Sequence, residues 1–285
     1  MKTIDIHTHG IGGYDTRSAD VKHILRIAEI HGSCGVLEIV LTIYPDVIRV
    51  MRENMEMVKK AMDIQDAAIT SGRAKILGVH LEGPFLNPAK CGSLNATTFI
   101  EPSEKPFREL IEGFENVVKI ITVAPELEGA TGLIKKISAQ GIIVSMGHSD
   151  ATYEEAEKGF HAGAKGITHL FNAMQGFHHR KPGIAGFGLL HKDIYIEIIA
   201  DPHHLHQATL ELILRTKRPQ RIIIVSDTVR ESKTSLEGAV TDSYGKLLGG
   251  GMTVLESAQR LIATGYNEEI IMGCITENPH RYLKN

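Results

Sequence analysis

Two histidines each close a short apolar run. His148 follows residues 142–146 and His169 follows 166–168, with a stretch of helical periodicity between them. Apolar run, helix, apolar run is a βαβ unit, and parallel sheets carry their chemistry where the strands end. Glu82 leaves another apolar run in the same way. One carboxylate with two imidazoles is a three-ligand set that leaves a position for water, the pattern of a catalytic zinc site. His7 and His9 follow the first apolar run two apart, so on a continuing strand both rings can face one side and converge on an ion. With 15 histidines such a pair also arises by chance, as His204 and His206 show, and its weight comes from its place at a strand end. Asp227 leaves the last run. There it suits a general base toward a water on the metal and then an acid toward a leaving amine, or else a helix N-cap. The plain alternatives are a strand-ending turn for Glu82, because Gly83 and Pro84 follow, and a solvated strand end for the histidine pair.

A further polar group lies in the long Gly- and His-rich stretch 173–190, which reads as a loop. It follows Asn172 and contains His178, His179 and Arg180, with Gly183 and Gly186 nearby. Arginine beside free backbone N–H groups suits a phosphate or carboxylate, and a solvated loop arginine is the alternative. Asp201, His203 and His204 follow the seventh run.

These residues need a frame. Strand-length apolar runs occupy residues 3–6, 36–43, 75–81, 117–123, 142–146, 166–168, 194–200 and 221–225. Most are uninterrupted rather than alternating, as in parallel strands covered on both faces. Helix-period segments at 20–31, 46–71, 104–113, 131–140, 151–162 and 206–216 separate them, and two more at 253–263 and 268–274 follow the eighth. Eight such units in 285 residues predict an α/β protein, a closed TIM-type (β/α)₈ barrel in one domain spanning 1–285.

Composition limits the partners. A formal charge of −3 offers no electrostatic attraction for nucleic acid or an anionic membrane. Cys34, Cys91 and Cys274 are far apart, which argues against a disulfide framework or a thiolate cage. No apolar run approaches a bilayer span and no signal-peptide core follows Met1, so a cytoplasmic protein is expected.

Taken in order, the motifs DIHTHGIGGYDT, VHLEGPFLNP, APE at 124–126, GHSDATYEEA, THLFNAMQGFHHRKPGIAG, IADPHHLH and VSDT resemble the N-acetylglucosamine-6-phosphate deacetylase branch of the metal-dependent amidohydrolases. The resemblance covers nearly the whole chain and implies a TIM-type barrel. It implies Glu82, His148 and His169 as ligands of a divalent metal, zinc first, with iron, manganese or cobalt as alternatives. His7 and His9 match members that hold a second ion, and Asp227 matches the catalytic aspartate. Asn172 and Ala173 fall where loop backbone holds substrate, Arg180 where the sugar phosphate binds, and His204 where a histidine meets substrate near the amide. The implied reaction is attack of metal-activated water on an N-acetyl group of an amino-sugar phosphate, in a homodimer.

Four departures accompany the resemblance. The family's accessory β-sandwich has no room here, and the segment 228–248 is short. Pro202 and His203 stand where glycine and an apolar residue are usual. Leu94 takes the place of the histidine in the family's Lys-Gly-Xaa-His, and an apolar side chain cannot replace a hydrogen bond to a substrate oxygen. Two alternatives therefore stand beside the deacetylase. One is an amidohydrolase acting on another N-acyl amine or cyclic amide, and the other is a catalytically silent, metal-stabilised binding protein.

Overall fold

A run of apolar residues with no polar alternation can be dry only if both faces are covered, and the fold covers them with helices outside and side chains inside. A computed structural model describes residues 2–67, 72–233 and 238–284. Its eight-stranded parallel sheet runs in chain order: β1 (Ile4–Thr8), β2 (Glu38–Ile43), β3 (Lys75–Leu81), β4 (Val118–Val123), β5 (Ile143–Met146), β6 (Gly166–Ile167), β7 (Tyr195–Ile199) and β8 (Ile222–Val225). Just past the strand ends β8 meets β1, where Asp227 N donates to His7 O and His9 N donates to Thr228 O, both at 2.8 Å. The result is the expected (β/α)₈ barrel.

The helices are α1 (Val21–Ser33), α2 (Ile48–Ala67), α3 (Glu104–Ile111), α4 (Ala130–Ala139), α5 (Tyr153–Ala162), α6 (Gly183–Leu190), α7 (Gln207–Thr216), α8 (Val254–Ala263), α9 (Glu268–Ile275) and α10 (Glu277–Tyr282). The expected helix at 46–71 is α2, and the last four residues of that range lie outside the described residues. Two elements correct the sequence reading. The stretch 173–190 is not loop throughout, since α6 fills its second half. Its three glycines lower helix propensity, but a Cβ on Gly188 would meet Ile167 and Leu170 at 2.8 and 2.9 Å, so close packing against β6 overrides propensity. The second is α10, which carries Pro279 in its first turn, where a missing N–H costs nothing.

Outward-facing strand residues such as Ile39, Leu41, Val144 and Ile224 pack with the helices in one large core. Inward-facing Ile4, Val40, Ile120, Ile143, Tyr195 and Ile223 form a second cluster with Tyr282 of α10, which closes the N-terminal end of the barrel. Asn278 ties that helix down by donating to the carbonyls of Pro219 and Ile222 at 2.7 Å each. Among the described residues the strands outside the barrel form two short ribbons, Gly10–Ile11 with Tyr14–Asp15 and Val240–Thr241 with Leu247–Gly249. None of the described helices is long and apolar enough to cross a membrane.

Candidate metal centre

Six of the residues singled out in the sequence meet at the C-terminal end of the barrel. Glu82 Oε1 lies 3.1 Å from His148 Nε2 and 3.0 Å from His169 Nε2, and those two nitrogens are 3.2 Å apart. Glu82 Oε2 lies 3.0 Å from His9 Nε2, and Oε1 is 3.4 Å from His7 Nε2. Asp227 Oδ1 stands 3.4 Å from His7 Nε2 and 3.6 Å from His9 Nε2. Glu82 and the four histidines are buried, while Asp227 keeps a slightly exposed carboxylate. The register of β1 shifts between Asp5 and Thr8, so Ile6 joins the interior apolar cluster while His7, the next residue, also reaches the barrel interior.

Backbone strain collects at the same place. Among the described residues, five non-glycine residues have positive φ: His148 (47°), His169 (30°), Phe171 (76°), Ala173 (49°) and Asp227 (48°). Such conformations cost energy and persist only where surroundings impose them. Here Asn87 N donates to His148 O (3.0 Å), Asn172 N to His169 O (2.9 Å) and Gly250 N to Asp227 O (2.7 Å). Glu126 accepts from Ser149 Oγ and from Asp150 N at 2.7 Å each, fixing the turn just after His148.

The donor set fits a cation. His148 Nδ1 is 2.9 Å from Lys90 O, a carbonyl that can only accept, so Nδ1 carries the proton and Nε2 presents a lone pair. That lone pair faces a second imidazole nitrogen and a carboxylate oxygen. Electron-rich atoms this close repel unless something positive lies between them. Metal–ligand bonds of about 2.0–2.1 Å would place tetrahedral ligands about 3.3–3.4 Å apart, close to the 3.0–3.2 Å here. Two sets could each hold an ion, Glu82 with His148 and His169, and Glu82 with His7 and His9. The electrostatics agree. Burial opposes ionisation of Glu82, yet His148, His169 and His7 hold its pKa well below the usual value. Burial likewise opposes a charge on His7, but Asp227, Glu197 and Glu82 outweigh it and raise its pKa well above 6.5. The site attracts positive charge, whether proton or cation.

Above the centre opens a cavity of about 400 Å³, whose lining includes Tyr44, Leu94, Asn172, Ala173, Ile199 and His204. A larger groove of about 690 Å³ lies between α2 and α3, but none of these donors lines it.

No protein-family model matches the chain. It is 32% identical over 272 residues to N-acetylglucosamine-6-phosphate deacetylase of Vibrio furnissii, covering 90% of this chain and 66% of that one. It is 34% identical over 232 residues to the same-named enzyme of Bacillus subtilis, covering 80% and 57%. Thus the chain spans about two thirds or less of these curated relatives. Solved structures of N-acetylglucosamine-6-phosphate deacetylase from Thermotoga maritima (TM-score 0.86, 28% identity) and Pasteurella multocida (0.88, 25%) cover 99% of this chain and 78% and 76% of theirs. The chain belongs to the N-acetylglucosamine-6-phosphate deacetylase family.

The remaining residues expected from that resemblance are divided. Asn172, Ala173 and His204 line the cavity. His204 Nδ1 is held by Asp201 at 3.0–3.1 Å, and Asp201 also accepts from the backbone N–H groups of His203, His204 and Gly251. Burial works against the Asp201 charge, but these bonds bring its pKa down to about 2. The other histidine of that pair, His206, is the N-cap of α7. Among the described residues Asp227 caps no helix, the next one beginning at Val254. Leu94, where the family's histidine is expected, joins Leu247 and Leu248 in the cavity wall, and Ser93 Oγ donates to Leu248 O at 3.2 Å across the mouth. Arg180 does not line the cavity. It is exposed, with its guanidinium on His179 Nε2 at 2.9 Å.

Sequence reasoning passed over Tyr44, His80 and Glu197. Tyr44 stacks on His9, with centroids 3.8 Å apart, under the Arg17 guanidinium. His80 lies against His7 and bonds Thr122 Oγ1 at 2.7 Å. Glu197 reaches His7 Nδ1 at 3.3 Å. The signal for Glu197 was visible as a lone charge inside the apolar run 194–200.

Proposed function

We propose that this chain is a metal-dependent hydrolase that removes the acetyl group of an N-acetylated amino-sugar phosphate, with N-acetylglucosamine 6-phosphate as the first candidate substrate. The observation that carries the reading is the convergence of Glu82, His148 and His169 beside Asp227, in a chain whose curated relatives are named for this reaction. Glu82, His148 and His169 would hold the principal divalent ion, with His7 and His9 available to a second. Zinc is the first expectation, and iron, manganese and cobalt suit the same donors less specifically. When bound, the cation supplies Lewis acidity toward the acyl oxygen and acidifies water.

Asp227 takes the proton of the attacking water and delivers it to the amine nitrogen as the C–N bond breaks, so that acetate and a free amine leave. Its place within 3.4–3.6 Å of His7 and His9 puts it beside the same centre. His204, anchored through Nδ1 by Asp201, presents Nε2 to the substrate. Asn172 and Ala173 would hold the sugar from the loop after β6. Arg180 serves the phosphate if the loop carrying it folds over the bound substrate. We read residues 1–285 as one barrel domain acting as a homodimer in the cytoplasm.

A second reading has its own support. Leu94, Leu247 and Leu248 form an apolar wall where a sugar would want hydrogen bonds, which favours another N-acyl amine as substrate. The test is acetate release by metal-loaded protein from N-acetylglucosamine 6-phosphate, with N-acetylglucosamine and N-acetylated amino acids as comparators. Turnover of the sugar phosphate, abolished by chelation and restored by metal, is the expected result. Release only from the comparators would favour the second reading, and release from none would contradict both.

A further inference from the structure

Glu197 is the least expected side chain in the barrel. It sits on β7 between Tyr195 and Ile199, both in the interior apolar cluster, and is 1% exposed. Removing a carboxylate from water carries a large cost unless a partner recovers it. Oε2 reaches His7 Nδ1 at 3.3 Å, while Oε1 has no hydrogen-bond partner. An ionised carboxylate only accepts, so this contact keeps a proton on Nδ1 and leaves Nε2 as the nitrogen that a cation could take. Nε2 makes no hydrogen bond of its own and faces Glu82 Oε1 and Asp227 Oδ1, each at 3.4 Å. A ring nitrogen opposed to two carboxylate oxygens is in the surroundings a cation needs. Carboxylates behind ligating histidines orient the ring in just this way.

We propose that Glu197 is a positioning residue which, through Nδ1 of His7, fixes the tautomer that leaves Nε2 free for an ion shared with His9 and Glu82. The inference rests on the metal-centre reading above and adds to it a specific role for a side chain on β7, two strands from His7. His148 has its own orienting partner in the Lys90 carbonyl, 2.9 Å from its Nδ1. One histidine in each half of the centre is therefore oriented by a separate acceptor, His148 by a main-chain carbonyl and His7 by Glu197. Loss of Glu197 should weaken one half and spare the other.

The test is zinc binding to the wild type and to Glu197→Met and Glu197→Gln, measured by chelator competition, with circular dichroism and thermal melts as folding controls. The wild type should take two equivalents. In Glu197→Met one equivalent should weaken about 10- to 100-fold while the other stays within about twofold. Glu197→Gln, whose amide oxygen can still accept from Nδ1, should recover part of the loss, and it carries the test alone if the methionine variant does not fold. Two equivalents unchanged in the folded variants would overturn the role of Glu197 and leave the metal centre standing. Equal weakening of both would also overturn it. A wild type that takes up one equivalent or none overturns this inference, and none overturns the metal-centre reading as well.

Discussion

The two ends of the barrel are built from the same eight strands and differ in almost every physical respect. At the N-terminal end, Ile4, Val40, Ile120, Ile143 and Ile223 close around Tyr282 in a dry apolar plug. At the C-terminal end, four histidines, Glu82 and Asp227 crowd together, the non-glycine positive-φ residues gather, and buried nitrogens such as His7 Nε2 and His9 Nδ1 lack hydrogen-bond partners. One end is optimised for burial, and the other gives up stability to bring like-natured donor atoms together. This division of labour is usual for barrels of this class, in which one face serves stability and the other chemistry. Here it can be traced to individual side chains.

Substitutions at each end should therefore fail in different ways. The largest effect expected is on activity. Asp227→Asn keeps a residue type that tolerates left-handed backbone, so the protein should melt as the wild type does. Its kcat should nevertheless fall by about 10²–10⁴-fold in the acetate-release assay. A melt shifted as strongly as the rate would blur the distinction between the two ends. Tyr282→Ala is the converse. Truncating this fully buried ring should cost about 3–5 kcal/mol in a denaturant titration and leave metal stoichiometry unchanged. Loss of metal at denaturant concentrations where the variant is still folded would mean that the plug and the centre are coupled.

Acid should reveal a third layer, between the barrel and its helices. His31 on α1 is fully buried against Thr8 Oγ1 at 3.1 Å, and burial brings its pKa from 6.5 down to about 4. Between these values the unfolded chain binds a proton that the folded one refuses. Stability is thus lost as pH falls from about 6.5 to about 4, by about 3 kcal/mol in total for this group. In His31→Gln the slope of stability against pH over that window should be shallower, as read from denaturant midpoints. The smallest effect concerns strain. Ala173 holds φ at 49°, so Ala173→Gly should stabilise by about 0.5 kcal/mol, the relief of left-handed strain less the added chain entropy of glycine. A destabilised glycine variant would show that the strain at the catalytic end is not stored at this residue.

Much of this was legible in the chain itself, and the reason is periodicity. The parallel strands are covered on both faces, so β8 reads as a continuous apolar run and the others as runs broken by few polar residues, and polar residues at their ends stood out. What distinguished a ligand from a bystander was position. His9 and His204 belong to identical His-Xaa-His spacings, yet the partner of His204 is a helix cap. Propensity misled where tertiary packing overruled it, as with the glycines of α6 and Pro279 of α10. The left-handed backbones of His148, His169 and Asp227 have no sequence signature, because they are imposed by hydrogen bonds from Asn87, Asn172 and Gly250, far away in the chain or in a following turn. Arg180 shows that a motif residue can be present without lining the site in this structure. The residue is present, but the loop around it turns its guanidinium to His179 instead of the cavity.

The measurement that tests the central claim most directly is anomalous diffraction at the zinc edge from crystals of metal-loaded protein. The account predicts a peak within about 2.0–2.2 Å of a Glu82 carboxylate oxygen, His148 Nε2 and His169 Nε2. Zinc bound stoichiometrically at some other place, with those three side chains hydrogen-bonded to one another as an ordinary polar cluster, would contradict it.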